Sequence, residues 1–258
     1  AWGLGYFGMP HILLRFMAIE DEKKLKLSRR VATIWVVISL FVAVFIGVIG
    51  YTMSKVGALE MLTGSNSETI IVKISALLSQ HGVIFALLAG VILAGILAST
   101  MSTSDSQLLA ASSAVSSDIL GAFRKDSSNK NGSMAAARIT LLVISVVAAF
   151  IARNPDSSVF AIVSFAWAGF GAAFGPVVLF SLFWKRTNKW GALAGMVCGG
   201  SMVFIWKYLI RPLGGIWNIY ELLPAFLIAC AAIVIVSLLT PKPSKEIEEE
   251  FDRVAQMK

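Results

Sequence analysis

The sequence has few of the residues that carry most enzyme chemistry. It contains 2 cysteines and 2 histidines among 258 residues. Cys198 and Cys230 each lie in a long apolar run without CxxC or Cys/His spacing. This argues against a zinc site and against a disulfide framework. The two cysteines are better interpreted as small apolar side chains inside membrane helices. HExxH, GxSxG and P-loop motifs are also missing, so nothing in the sequence indicates an enzyme.

Charge is scarce as well. Charged residues make up 14% of the chain against 57% apolar residues, and the mean hydropathy is +0.79. A typical soluble domain has about 25% charged residues. A soluble fold could not hide this much apolar surface, so the composition predicts an integral membrane protein. The chain starts at Ala1 with an apolar, glycine-rich segment and no charged region before it. We therefore expect a chain cut inside a membrane segment, without a signal peptide.

Long apolar runs are what the sequence has in abundance. A helix needs about 20 mostly apolar residues to cross the hydrocarbon core. Six runs meet this length, and residues 1–19 form an incomplete seventh segment. The sequence thus predicts an all-α, multi-pass integral membrane protein, with its membrane helices at 31–53, 82–103, 134–152, 158–184, 190–210 and 220–240.

The net charge of +7 is unevenly distributed over the loops. Twelve basic residues fall in one set of loops: Lys23, Lys24, Lys26, Arg29, Arg30, Arg124, Lys125, Lys130, Arg138, Lys185, Arg186 and Lys189. The opposite loops hold five: Lys55, Lys73, Arg153, Lys207 and Arg211. Cytoplasmic loops carry the excess of Lys and Arg, so we expect a cytoplasmic C-terminus in the inner (plasma) membrane. The basicity then reflects topology in a lipid bilayer, and no nucleic-acid partner is expected.

Two segments outside these runs have helical patterns. In the loop 54–80, the residues 68–80 have apolar residues at near-helical spacing and predict a short interfacial helix. The tail 241–258 is predicted to be cytoplasmic and charged. It is interpreted as solvated, with the alternative that Ile247, Phe251 and Val254 rest on the membrane surface.

The first candidate site is the N-terminal segment 2–10, which holds three glycines, a proline and three aromatic residues. Glycine and proline weaken helical hydrogen bonding, which lipid tolerates only where the freed groups line a cavity or contact protein. Transporters use such broken helices to present backbone groups to a substrate. The alternative is an interfacial aromatic belt with glycines for close packing.

The second candidate site is the hydroxyl-rich segment 99–106, which follows the apolar run 83–98. Ser102 and Thr103 fall within the inner part of the predicted span. Their hydroxyls and a helix carbonyl form an oxygen-only set suited to a hard cation such as sodium. One alternative is a serine-rich helix end at the cytoplasmic interface. Another is that Asp105 caps a following helix over 107–120.

A third segment, 166–176, is rich in glycine and aromatic residues. Its GxGxxxG pattern lies outside any strand–helix unit, which argues against a dinucleotide loop. Small residues four apart indicate tight helix packing, as at Gly171 and Gly175 and again at 191, 195 and 199. Pro176 is expected to kink its helix.

These segments resemble the sodium:solute symporter family. The likeness runs over nearly the whole chain and matches the second half of such a symporter; it is carried by residues 1–8, 10–12, 15–18, 101–103, 107–109 and 166–182, with Arg186, Gly191, Ala192 and Gly195. The resemblance implies a LeuT-type fold of two inverted five-helix repeats. By it, residues 1–184 form the second repeat with a truncated first helix, 185–240 two peripheral helices, and the first repeat is missing.

The resemblance also implies two sets of site residues. The family's sodium site takes hydroxyls from the residues matching Ser102 and Thr103 and a backbone carbonyl from the one matching Ser99. Its other ligands come from the first repeat. In members that transport proline, residues matching Trp2, Tyr6 and Pro10 are associated with the substrate. The expected function is therefore import of L-proline coupled to co-transported sodium.

Other functions stay open at this stage. One is a sodium symporter for another small solute. A second is the membrane domain of a symporter-like sensor kinase, which should continue into a catalytic region after the last span. A membrane-embedded enzyme would need a nucleophile–base or metal set that the sequence does not show.

Overall fold

The structure, a computed structural model, describes residues 2–21, 23–119, 130–153 and 158–256. Regular structure within these ranges is entirely helical, and no strand is present there. The α-helices in chain order are α1 Pro10–Met17, α2 Lys24–Lys55, α3 Ile70–Ser79, α4 Val83–Ser113, α5 Lys130–Ile151, α6 Val159–Phe183, α7 Lys189–Ile205, α8 Leu222–Leu239 and α9 Lys245–Gln256.

The described residues contain six helical segments long and apolar enough to cross a membrane: Lys24–Lys55, Val83–Ser116, Met134–Ile151, Val159–Phe183, Lys189–Leu213 and Leu222–Leu239. These overlap the six predicted runs, and they confirm for the described residues an all-helical structure with six helices able to cross a membrane. The chain divides into two compact units, residues 1–18 with 160–258, and residues 19–159. Each unit is described separately.

In the first unit, a row of glycines brings α7 close to its neighbours. A Cβ on Gly195 would meet the side chain of Ile233 on α8, and one on Gly199 would meet the carbonyl of Ala172 on α6. A Cβ on Gly191 would likewise meet the side chain of Ser237 on α8. Because only glycine leaves room for these contacts, the predicted close packing at 191, 195 and 199 is confirmed.

One asparagine connects the start of α7 to the end of α8. The side-chain oxygen of Asn188 caps α7 by accepting the Gly191 N–H at 2.9 Å. Its amide nitrogen donates to Thr240 Oγ1 at 2.7 Å and to the Pro241 carbonyl at 2.8 Å. The neighbouring Arg186 guanidinium donates to the Thr240 carbonyl at 2.8 Å. The loop before α7 and the residues after α8 are therefore fixed to one another.

Residues 206–221 join the opposite ends of α7 and α8 and contain an ion pair whose carboxylate is buried and whose guanidinium is partly exposed. Glu221, whose side chain is 3% exposed, accepts from Arg211 at 3.0 Å. The hydroxyl of Tyr220 donates to the Ser164 carbonyl of α6 at 2.5 Å. The indole of Trp206 donates to the Ile219 carbonyl at 3.2 Å. Because the carboxylate is removed from water, its guanidinium partner stabilises it there.

The second unit contains the predicted helix of the 54–80 loop. This segment forms α3 over Ile70–Ser79, which confirms the helix, and Ile70 packs on Gly50 of α2. The carboxylate of Glu68 accepts from the Ser158 hydroxyl at 2.5 Å and from the Val159 N–H at 3.0 Å. Ser112 of α4 donates to the Ala137 carbonyl of α5 at 2.8 Å.

Helix α4 is longer than its hydropathy suggests. It continues without a break to Ser113 and passes into a π-helical stretch at Ala114–Ile119. Asp105 therefore lies inside the helix, and the alternative in which it caps a new helix is wrong. Serine and threonine hydroxyls here bond back to carbonyls of the preceding turn, as Ser106 does to Ser102 at 2.9 Å. This lets a polar stretch remain helical.

Candidate substrate and cation sites

The N-terminal segment is not α-helical before Pro10. Two 3-10 turns, Trp2–Leu4 and Tyr6–Gly8, precede α1, and Met9 between them and the helix is extended with φ −85° and ψ 118°. Pro10 starts α1, where its missing N–H has no helical partner to lose. The predicted interruption of the helix by glycine and proline is confirmed.

Backbone-to-backbone contact holds this segment against α6. A Cβ on Gly8 would lie 2.8 Å from both the Gly175 nitrogen and the Phe170 oxygen, and 3.0 Å from the Gly171 Cα. Gly5 lies directly under the indole of Trp167. Real Cβ atoms do not approach backbone this closely, so both helical elements need their glycines here. The predicted packing role of Gly171 and Gly175 is confirmed.

The three predicted substrate residues follow one another along this segment. The ring of Tyr6 lies edge-on to Trp167, with centroids 5.0 Å apart and planes at 78°. Tyr6 is 49% exposed, whereas Trp167 is 9% exposed. Pro10 is exposed at the first turn of α1, and Trp2 begins the first 3-10 turn. The structure thus places Tyr6 on a buried aromatic support and leaves half of its surface open.

The three predicted cation ligands converge on one turn of α4. The carbonyl oxygen of Ser99 accepts from Ser102 Oγ at 3.1 Å and from Thr103 Oγ1 at 3.2 Å. Both hydroxyl residues are exposed on the surface of the unit. The adjacent Thr100 donates to the Ile96 carbonyl at 2.9 Å and does not join the cluster.

This cluster has the chemistry of a site for a singly charged hard cation. All its atoms are oxygen, and each hydroxyl that donates its proton to Ser99 keeps lone pairs for an ion. Three oxygens are fewer than the six or so that a hard cation takes, so a complete site needs ligands from other elements. Within the described residues no group of three or more His, Cys, Asp and Glu is placed to hold a metal. Neutral ligands favour sodium over divalent ions, which bind carboxylates.

Trp167 is a residue that sequence reasoning missed. It lies in the segment interpreted as packing, and its sequence neighbours are alanines, which gave no sign of a role beside Tyr6. A large aromatic residue within a run of small ones is the one signal that points to it. Asn188 was likewise missed, although Asn before Lys-Trp-Gly is a recognisable helix cap.

The fold and these sites define a multi-pass α-helical membrane protein with polar groups placed on its membrane helices. Residues 1–199 match the model of the "Sodium:solute symporter family", and the chain belongs to that family.

The curated relatives carry names that describe transport. The chain is 41% identical over 255 residues to the sodium/proline symporter of Haemophilus influenzae, covering 98% of this chain and 49% of that protein. It is 40% identical to the osmoregulated proline transporter OpuE of Bacillus subtilis, over 95% of this chain and 48% of the relative. It is 39% identical to the sodium/proline symporter of Escherichia coli, over 97% of this chain and 48% of that protein. The chain thus spans about half the length of the curated relatives it matches. No solved structure matches it.

Proposed function

We propose that this chain is the second half of a symporter that couples sodium entry to the import of L-proline. In this proposal residues 1–184 form the second of two inverted repeats of a LeuT-type fold, and the last two spans are peripheral. The first repeat would correspond to the half of each relative that this chain does not match. The basic residues of alternate loops orient the protein with its C-terminus in the cytoplasm.

The observation that carries the proposal is the convergence of Ser99, Ser102 and Thr103. Two hydroxyls reach one carbonyl on the exposed surface of a membrane helix. Polar groups at membrane depth are costly when lipid covers them. Their exposure in this chain is explained if a further element of the complete protein covers them and a sodium ion lies between. The relatives' names, which specify sodium and proline, support the same assignment.

Proline recognition is assigned to the segment with Trp2, Tyr6 and Pro10. Proline offers an apolar ring together with an ammonium and a carboxylate. The half-exposed ring of Tyr6 provides an aromatic surface for the apolar part, and cations also favour aromatic faces. The turns at Trp2–Leu4 and Tyr6–Gly8 interrupt the α-helix beside this ring, as broken helices do where transporters bind a substrate.

The energetics of such coupling are sufficient without a nucleotide. One charge crossing about 100 mV yields about 2.3 kcal/mol. A tenfold sodium gradient adds about 1.4 kcal/mol. One sodium ion per proline could therefore sustain roughly 500-fold accumulation.

The proposal is tested by measuring uptake in proteoliposomes that contain the full-length protein. Ser102→Ala and Thr103→Ala each remove one hydroxyl from the cluster, and Thr100→Ala removes an adjacent hydroxyl that bonds elsewhere. We expect the sodium concentration for half-maximal proline uptake to rise tenfold or more in the first two variants and to stay within twofold in the third. Equal sodium dependence in all three would refute the sodium assignment.

A separate arm tests the substrate. Tyr6→Ala should raise the KM for proline and leave the sodium dependence at saturating proline near that of the parent. If the parent protein took up a different solute and no proline, the assignment of proline as substrate would be wrong, while the assignment as a symporter would stand.

A further inference from the structure

The amphipathic helix α9 has an apolar face that takes no part in the proposed proline and sodium sites. It begins at Lys245, and the five residues between it and the end of α8 include prolines at 241 and 243. Ile247, Phe251 and Val254 recur at helical spacing, and Ile247 and Val254 are 57% and 54% exposed. The rest of the helix is strongly acidic, with Glu246, Glu248, Glu249, Glu250 and Asp252 against Lys245 and Arg253.

An ion pair places α9 beside the ends of the spanning helices. Asp252 accepts from Lys185 at 2.5 Å, and Lys185 lies between the end of α6 and the start of α7. The hydrogen bond with Asp252 raises the pKa of Lys185, and the charges of Asp252 and Glu248 contribute further. Through Arg186 and Asn188, the same loop bonds to residues 240 and 241 after α8.

Three spanning helices therefore end where α9 is attached. Phe183 closes α6, Lys189 opens α7 and Leu239 closes α8, so this end of the first unit lies at the membrane surface. A helix attached there, within a few residues of apolar spans, is at the depth where acyl chains meet headgroups.

We propose that α9 lies in the plane of the membrane surface and that zwitterionic lipid covers its face of Ile247, Phe251 and Val254. The acidic polar face argues for zwitterionic lipid, because anionic headgroups would repel it. Lipid fits this face better than another protein does. A stable protein interface buries roughly 800 Å² per partner, and three side chains on a twelve-residue helix offer less apolar area than that.

The position of α9 can be measured with spin labels on the full-length protein in phosphatidylcholine liposomes. Cys198→Ala and Cys230→Ala first remove the chain's own thiols. Val254→Cys then carries a label on the apolar face, and Glu249→Cys carries the control label on the opposite side, since five residues turn a helix by about 140°. Both positions are exposed, so neither label needs the helix to unfold.

The proposal expects the label at 254 to be more accessible to oxygen, which concentrates in lipid, than to a water-soluble nickel chelate. The label at 249 should show the reverse. Nickel accessibility at 254 equal to that at 249 would mean a solvated helix and would overturn the proposal. Protection of the label at 254 from both reagents would mean a protein partner or a second copy, and would overturn it too.

Lipid charge provides a second measurement. In liposomes made from equal parts of phosphatidylcholine and phosphatidylglycerol, the acidic face should weaken insertion and lower the ratio of oxygen to nickel accessibility at 254. An unchanged or higher ratio would overturn the assignment to zwitterionic lipid.

Discussion

The indole of Trp167 lies edge-on against the phenol ring of Tyr6, at 5.0 Å between centroids, and covers Gly5 at the same time. An edge-to-face pair of this kind contributes about 0.5–1.5 kcal/mol beyond the apolar area that it buries. Trp167 is nearly buried and Tyr6 is half exposed, so the indole is the fixed partner that sets the position of the phenol. Trp167 is thus a positioning residue for the proposed proline site.

Loss of this support should weaken proline binding. We expect Trp167→Ala to raise the KM for proline about three- to tenfold, and Trp167→Phe to restore most of the affinity because an aromatic edge remains. The measurement is proline uptake at saturating sodium, with the half-maximal sodium concentration as the second readout. Phe170→Ala on the same helix is the control, since Phe170 stacks on Phe174 rather than on Tyr6. Equal KM changes at 167 and 170 would count against a specific role.

Two adjacent glycines of α7 make a matched pair for the packing of this helix. A Cβ on Gly199 would collide with the backbone carbonyl of Ala172, whereas one on Gly200 would meet only the Ala173 Cβ at 3.9 Å. We expect Gly199→Ala to destabilise the protein by about 1–3 kcal/mol, the usual cost of overpacking. Gly200→Ala should be neutral or gain up to about 1 kcal/mol from helix propensity. Thermal unfolding in detergent compares the two, and equal melting temperatures would contradict the tight contact.

Local sequence patterns predicted the parts of this molecule that depend on composition along the chain. Spans follow from apolar runs, and the interruption before Pro10 follows from glycine and proline, because both effects act within one segment. The course of α4 past Asp105 was not predicted. A run of serines indicates a helix end by composition, but their hydroxyls bond to carbonyls of the same helix and allow it to continue.

Contacts between distant segments were also beyond sequence reasoning. Asn188 meets residues 240 and 241, about fifty positions further along the chain, and Trp167 meets Tyr6 across more than 150 positions. Such pairings depend on how helices pack, which no periodicity within a single segment encodes. The glycine rows indicated that α6 and α7 pack tightly, without indicating which partners they meet.

The connection made by Asn188 has two separable parts, a helix cap and a link to α8. Asn188→Ser keeps an oxygen that can cap α7 and loses the amide donors to Thr240 and Pro241. Asn188→Ala loses both. We expect the alanine variant to be less stable than the serine variant by about 1 kcal/mol, the usual contribution of a cap. Denaturant or thermal unfolding measures the difference. A serine variant as unstable as the alanine variant would mean that the cap contributes nothing here.

We expect the protein to lose stability at alkaline pH because of the buried phenol of Tyr220. Burial raises the pKa of Tyr220 from 10.0 to about 12, and the neighbouring charge of Glu221 adds to the shift. Between these values the unfolded chain has released the proton while the folded chain still holds it, so stability is full below pH 10 and falls as pH rises toward 12. Tyr220→Phe should therefore lower stability at neutral pH, through loss of the bond to the Ser164 carbonyl, but show a smaller further fall across that window. Unfolding of the parent and of Tyr220→Phe, measured from pH 9 upward, tests this. An unchanged slope in Tyr220→Phe would show that this phenol does not hold its proton more tightly in the folded protein.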